Sequence, residues 1–228
     1  MNAVVDIKKG LEGVVVDSTS ISLVDGQAGR LYYRGYPIEA LTKYPFAAVA
    51  HLVVFGELPD GPRLAEFEDF LWEAGKLPSS LMRALEQLAR LEGHPMATLQ
   101  ALMPLMAAEA PARKIGRTDD EQEALLVAAR LPAAHALLAG LRAGRPAVPY
   151  PNTRRFGERF LELLHGAKPT PQAVRIFEQT QILQIDHSFS ASTFTARVVT
   201  STLAPPASAL AAAMGSLYGP LHGAADQG

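Results

Sequence analysis

From Pro37 onward, prolines and glycines cut the sequence into pieces of helix length, and that punctuation constrains the fold more than any other feature. Between these breaks alanine and leucine dominate, with apolar residues recurring at helical spacing. Pro45 opens FAAVAHLVVFG, which Gly56 and Pro59 close, and Pro62 opens LAEFEDFLWEAG. SSLMRALEQLARLEG takes Ser79 or Ser80 as its cap and Gly93 as its stop. HPMATLQALMPLMAA is interrupted at Pro104, and the alanine-rich stretch after Asp119-Asp120 carries Pro132 as a kink. RPAVPYPNTRR reads as an irregular loop and GERFLELLHG as a short helix. Thr170-Pro171 places a capping hydroxyl before a proline at the start of another helix. A last helix runs through ASTFTARVVTSTL and on into ASALAAAMGSLYG.

The beginning of the chain has a different texture. Val14 to Val16, Ile21 to Val24 and Leu31 to Tyr33 are short β-rich runs separated by Asp25-Gly26 and Gly29. The expected fold class is therefore mainly α with a small N-terminal β element. A β meander is expected over residues 1–36 and a helical domain over 37–228. The small residues late in the chain, from Ala191 to Gly215, suit helices that approach one another closely, as at a buried subunit interface.

Composition narrows the function. Hydrophobic residues make up 48% and charged residues 19%, the balance of a globular protein. A net charge of -2 offers nothing to nucleic acid or to an anionic membrane surface. The absence of cysteine excludes disulfides, thiolate chemistry and sulfur-ligated zinc. MNAVVDIKKGLEG lacks the apolar core of a signal peptide, no stretch is expected to span a bilayer, and a cytoplasmic location is expected.

Two of the six histidines stand apart. His51 and His135 sit in alanine-rich helical patterns, His165 at a helix end, and His94 before a proline, all readable as structural positions. His187 follows Asp186 at a break between helices, and Ser188, Ser190, Ser192 and Thr193 follow it. Those hydroxyls either cap the next helix or surround a polar ligand. His222 lies in GPLHGAA, where a turn precedes an alanine-rich restart. The positive end of a helix dipole favours a neutral imidazole, which can donate a hydrogen bond to a developing oxyanion. His222, Asp226 and His187 make only a sparse metal set, and no GxSxG elbow is present.

Five segments together resemble the citrate synthase family. GLEGVVVDSTSISLVDGQAGRLYYRGYPIEAL is similar to its DG…G-LxYRGY region, FAAVAHLVVFGELP to its xxVAxLLxxGxLP segment and HPMATLQALM to HPMxxLR. DHSFSASTFTAR resembles DHxxNASTFxAR, and GPLHGAADQ resembles GPLHGGANE. Order and spacing agree from about residue 11 to the end, nearest to the bacterial citrate and 2-methylcitrate synthase branch.

The resemblance implies a large helical domain working as a homodimer, and condensation of acetyl-CoA or propionyl-CoA with oxaloacetate. A carboxylate removes a proton from the acyl group, His222 stabilises the enol at the thioester oxygen, and His187 with Ser190 binds oxaloacetate. No cofactor and no metal are implied, acyl-CoA being a substrate. Ser190 stands where the family has asparagine, Ala224 for glycine, Asp226 for asparagine and Gln227 for glutamate. The family pattern continues past GPLHG into a GxGH segment with the later histidine and aspartate, and no GxGH occurs here. The expectation is a synthase without its small-domain region, incomplete as a single chain: either a clipped or shortened enzyme or a large subunit completed by a second chain. A non-catalytic helical dimerisation or regulatory protein of the same ancestry is the alternative.

Overall fold

The computed structural model describes residues 13–223. Three short strands open the fold in sequence order: β1 (Ser22–Asp25), β2 (Arg30–Tyr33) and β3 (Tyr36–Pro37), antiparallel throughout. Leu23 faces Tyr32 across the first pair, and Tyr33 faces Tyr36 across the second. Arg34 and Gly35 turn the chain between β2 and β3 with φ of 49° and 85°. Arg34 tolerates that left-handed backbone because it is anchored at both ends. Its backbone N–H donates to Ile21 O at 2.8 Å, and its guanidinium Nη2 donates to Val53 O at 3.0 Å. The YRGY turn thus pins the sheet to a helix. Val14 to Val16 form no strand, and among the described residues no segment pairs with them.

Ten α-helices follow among the described residues: α1 (Ile38–Leu41), α2 (Phe46–Phe55), α3 (Gly61–Ala74), α4 (Ser79–Ala89), α5 (Pro95–Leu102), α6 (Asp119–Arg142), α7 (Phe156–His165), α8 (Pro171–Leu183), α9 (Ala191–Ser201) and α10 (Pro206–Leu217). Most starts are set by local chemistry. Asp60 accepts from Arg63 N at 3.0 Å, and Thr118 and Thr170 accept likewise from Glu121 N and Ala173 N. Gly56 and Gly166 end α2 and α7 in the left-handed conformation that a helix stop favours.

Several boundaries differ from expectation. Pro78 rather than a serine precedes α4, which ends at Ala89, before Gly93. The stretch from Ala191 to Leu217 is two helices, because Leu203 takes φ of 64° and Pro205 follows in extended backbone. Pro132 lies inside α6, which continues through it over 24 residues. That helix is long and apolar enough to cross a bilayer, against the expectation of no such stretch. Here it is the central core helix, with Leu125, Leu126, Val127 and Leu138 buried against its neighbours.

Among the described residues the core falls into three clusters. The largest gathers Leu85, Leu99, Leu102, Met106 and Leu138 from α4, α5, α6 and the 3₁₀ turn at Met103–Ala107. A second joins Tyr33, Leu41, Val49, Leu52 and Ile182, so the sheet shares a core with α1, α2 and α8. Phe67, Phe70 and Leu126 centre the third, between α3 and α6. The sheet is thereby held against the end of α8, where the candidate site begins.

Candidate active site

Tyr33 is fully buried and its hydroxyl donates to Ile182 O, 2.9 Å away in the last turn of α8. The N–H of Asp186 lies 3.5 Å from the same hydroxyl oxygen. Burial pushes the Tyr33 phenol up from its ordinary value, so it stays a donor. Asp186 then organises the loop into α9. Its Oδ1 accepts from Ser188 N at 2.9 Å and from the Ser22 hydroxyl of β1. Ser188 has φ of 69°, a conformation that costs a non-glycine residue about 1 kcal/mol and that the Asp186 contact holds in place.

Ser190 caps α9, its Oγ accepting from Thr193 N at 3.3 Å. The same Oγ lies 3.0 Å from Ser192 Oγ and 3.1 Å from Thr193 Oγ1. Three hydroxyls therefore cluster at the start of the helix. The fourth member comes from the far side of α10. Gly219 N–H donates to Ser216 O at 3.1 Å and His222 N–H to Gly219 O at 3.0 Å, turning the chain back. A Cβ at Gly223 would lie 2.6 Å from Leu217 Cδ1 and 2.8 Å from Leu217 O, so only glycine lets this turn close. The turn sets His222 Nε2 at 2.9 Å from Ser192 Oγ.

This chain of contacts has a chemical consequence. When Ser192 donates to Nε2, the ring proton resides on Nδ1, which is then the free donor of a neutral imidazole. Such a donor suits an oxygen on which charge develops. The structure thus joins His222 to Ser190 through Ser192, and Ser190 also does the capping that the hydroxyl row allows. His187 stands outside this row: its side chain is exposed and has no hydrogen-bond partner among the described residues. The helix restart expected after Pro220, and Ala224, Asp226 and Gln227, lie outside the described residues.

The remaining histidines fill structural positions. His51 is buried, with Nδ1 2.9 Å from Glu57 O and its ring edge-on to Phe67. His94 caps α5, accepting from Met96 N at 3.2 Å, and stacks on Tyr218 at 4.5 Å, which ties α5 to the end of α10 just before the His222 turn. His135 lies beside Phe160, and His165 occupies the last turn of α7. Among the described residues no three His, Cys, Asp or Glu side chains converge as a metal site.

Sequence reasoning missed two contributors. Arg197 of α9 pairs with Asp17 and lies over the Phe189 ring at 5.0 Å, clamping the loop from the other side. Tyr33 supports the loop from beneath. Neither the Tyr33–Ile182 nor the Arg197–Asp17 contact is signalled locally, because the partners lie 149 and 180 residues apart.

A model of the citrate synthase C-terminal domain matches residues 10–228. A 2-methylcitrate synthase of Mycobacterium tuberculosis H37Rv is 38% identical over 223 residues, covering 97% of this chain and 56% of that protein. A citrate synthase of Haloferax volcanii is 34% identical over 226 residues, covering 97% and 60%. Among solved structures, citrate synthase from Thermotoga maritima aligns with a TM-score of 0.82 at 32% identity, over 97% of this chain and 58% of that one. The complex of Thermoplasma acidophilum citrate synthase with carboxymethyl coenzyme A and oxaloacetate aligns at 0.84 and 28% identity, over 96% and 58%. The chain spans less than two thirds of the length of each.

Proposed function

From the premise that this chain belongs to the citrate synthase family, we propose that it is part of a synthase condensing acetyl-CoA or propionyl-CoA with oxaloacetate. The observation that carries the reading is the His222–Ser192 contact at 2.9 Å, in which Ser192 acting as donor leaves the Nδ1–H of a neutral imidazole to offer. In the proposed reaction a carboxylate base takes a proton from the acyl carbon next to the thioester, and the thioester oxygen becomes an enol that His222 holds by hydrogen bond. The enol carbon forms the new bond to the ketone carbon of oxaloacetate, whose oxygen takes up a proton. Water then cleaves the thioester, giving citrate or 2-methylcitrate and free CoA. Exposed His187 and the Ser190 hydroxyl are the oxaloacetate-facing groups in this reading. No resident cofactor or metal is assigned a step, and the location is cytoplasmic.

The working form is a homodimer. None of the residues of α9 is buried, although the helix packs closely on α10, and Val198 presents an apolar side chain at its surface. Leu203, in the turn between the two helices, is 94% exposed. A second copy covering that face removes this apolar surface from water.

Release of CoA from each thioester, followed with a thiol reagent, tests the reading, and the chain has no cysteine to contribute background. Release that depends on oxaloacetate and disappears in His222→Ala is expected. The assay is run on the chain complemented with the family's later segment, and folded, complemented protein that releases no CoA with either thioester overturns the reading.

A further inference from the structure

A pocket of about 250 Å³ is sunk between α2, α3, α6 and α7, and none of its lining residues belongs to the 186–223 stretch that holds the candidate active site. Its walls are apolar, with Phe46, Phe67, Leu125, Phe156 and Leu163 among them. Ala128, also in its wall, is exposed, which gives the pocket a mouth. Three polar side chains converge on this apolar space: Arg159, Tyr150 and Gln181.

Arg159 is the anomaly. Only 6% of it is exposed, and no carboxylate touches it among the described residues, although the Glu68 and Glu178 carboxylates lie near enough to act on its charge. Its Nη1 donates to Thr153 O at 3.1 Å and to Arg154 O at 2.9 Å, and its Nε and Nη2 groups have no acceptor there. Of these two, Glu178 is occupied by the Arg155 guanidinium at 3.2 Å and by Gly157 N–H at 3.0 Å. A guanidinium stays charged at any ordinary pH, so a buried one with no carboxylate in direct contact is costly unless something else solvates its free N–H groups. Tyr150 adds a neutral donor, since burial pushes its phenol up from the ordinary value. The Tyr150 hydroxyl sits where a Cβ at Gly75 would be only 2.4 Å away, so the glycine makes room for it.

We infer that this pocket binds a small apolar carboxylic acid, its carboxylate on Arg159 and Tyr150 and its hydrocarbon body against the phenylalanines. A carboxylate matches the guanidinium fork and takes the N–H donors that the protein leaves over. Size follows from volume: a 150 Å³ apolar cavity holds benzene, so this one takes about ten non-hydrogen atoms. The inference does not depend on the condensing activity.

Benzoate and its neutral isostere benzamide are the probes, titrated calorimetrically into the full chain. Benzoate is expected to bind at least about tenfold more tightly than benzamide, because only it brings a carboxylate into direct contact with the guanidinium. Arg159→Met is expected to remove that preference. Should this variant fail to fold, Ala128→Phe at the exposed mouth keeps the test open. It should leave the melting temperature of the unliganded protein unchanged and abolish benzoate binding. Equal affinity for the two probes, no binding of benzoate at millimolar concentration, or binding that survives Ala128→Phe each overturns the inference.

Discussion

His222 Nε2 and Ser192 Oγ lie 2.9 Å apart although 30 residues separate them, and no other side-chain hydrogen bond holds the imidazole among the described residues. Ser192 is in turn 3.0 Å from Ser190, the cap of α9, so the helix start positions the ring. Replacing Ser192 with alanine leaves the cap intact and frees the imidazole to rotate. A hydrogen bond of this kind contributes about 1 to 1.5 kcal/mol, so turnover in the CoA-release assay should fall about tenfold. Ser192→Thr keeps a hydroxyl and should recover most of the loss. An unchanged rate in the alanine variant removes Ser192 from the positioning of His222.

Arg130 is only 2% exposed and donates to four backbone carbonyls: Ala74 at 3.2 Å, Met106 at 2.7 Å, Glu109 at 2.7 Å, and Ala108. It fastens the end of α3 and the segment after the 3₁₀ turn to the middle of α6. Arg130→Met fills similar space but leaves those carbonyls without donors, at an expected cost of about 3 kcal/mol in urea unfolding. Arg130→Lys should recover less than half, because one ammonium cannot reach acceptors spread around a planar fork. A loss below about 1 kcal/mol would show that water replaces the guanidinium there.

Glu68 titrates above the ordinary carboxylate value of 4.5, first because burial penalises its charge and then because the Glu178 carboxylate repels it. Between 4.5 and the raised value the folded chain holds a proton that the unfolded chain has released. Stability from this group is therefore lost as pH rises through that window. Glu68→Gln removes the titration, so its melting temperature should exceed the parent's at pH 7 and converge with it near pH 4. A difference independent of pH would mean that the amide acts through packing alone.

What could be read from the residues was what short range determines. Thr170 before Pro171, Pro45 before Phe46 and Gly56 after Phe55 each set a helix end through contacts within four residues, and each lies where expected. The capping role of Ser190 was legible and the Ser192–His222 pairing was not, since no periodicity links residues 30 apart. Arg159 gave no signal at all: whether an arginine is buried with no carboxylate in direct contact depends on how α2, α3, α6 and α7 close around it.

Tyr33 links the sheet to the loop that leads into the hydroxyl row, so its hydroxyl should matter for binding more than for the fold. Its donation to Ile182 O fixes the end of α8, and the same oxygen lies 3.5 Å from Asp186 N–H. Asp186 in turn holds Ser188 in its left-handed conformation and is hydrogen-bonded by Ser22. Tyr33→Phe keeps the buried ring and removes only the hydroxyl, at an expected cost of about 1 to 2 kcal/mol in stability. The loop then loses its anchor, and the backbone beside exposed His187 gains freedom that an oxaloacetate-bound state must again remove. The KM for oxaloacetate should rise about tenfold while kcat changes little, the pattern of lost ground-state positioning. A fall in kcat at constant KM would instead place the effect at His222. That outcome would mean that the sheet supports the reacting histidine and not the substrate-facing loop.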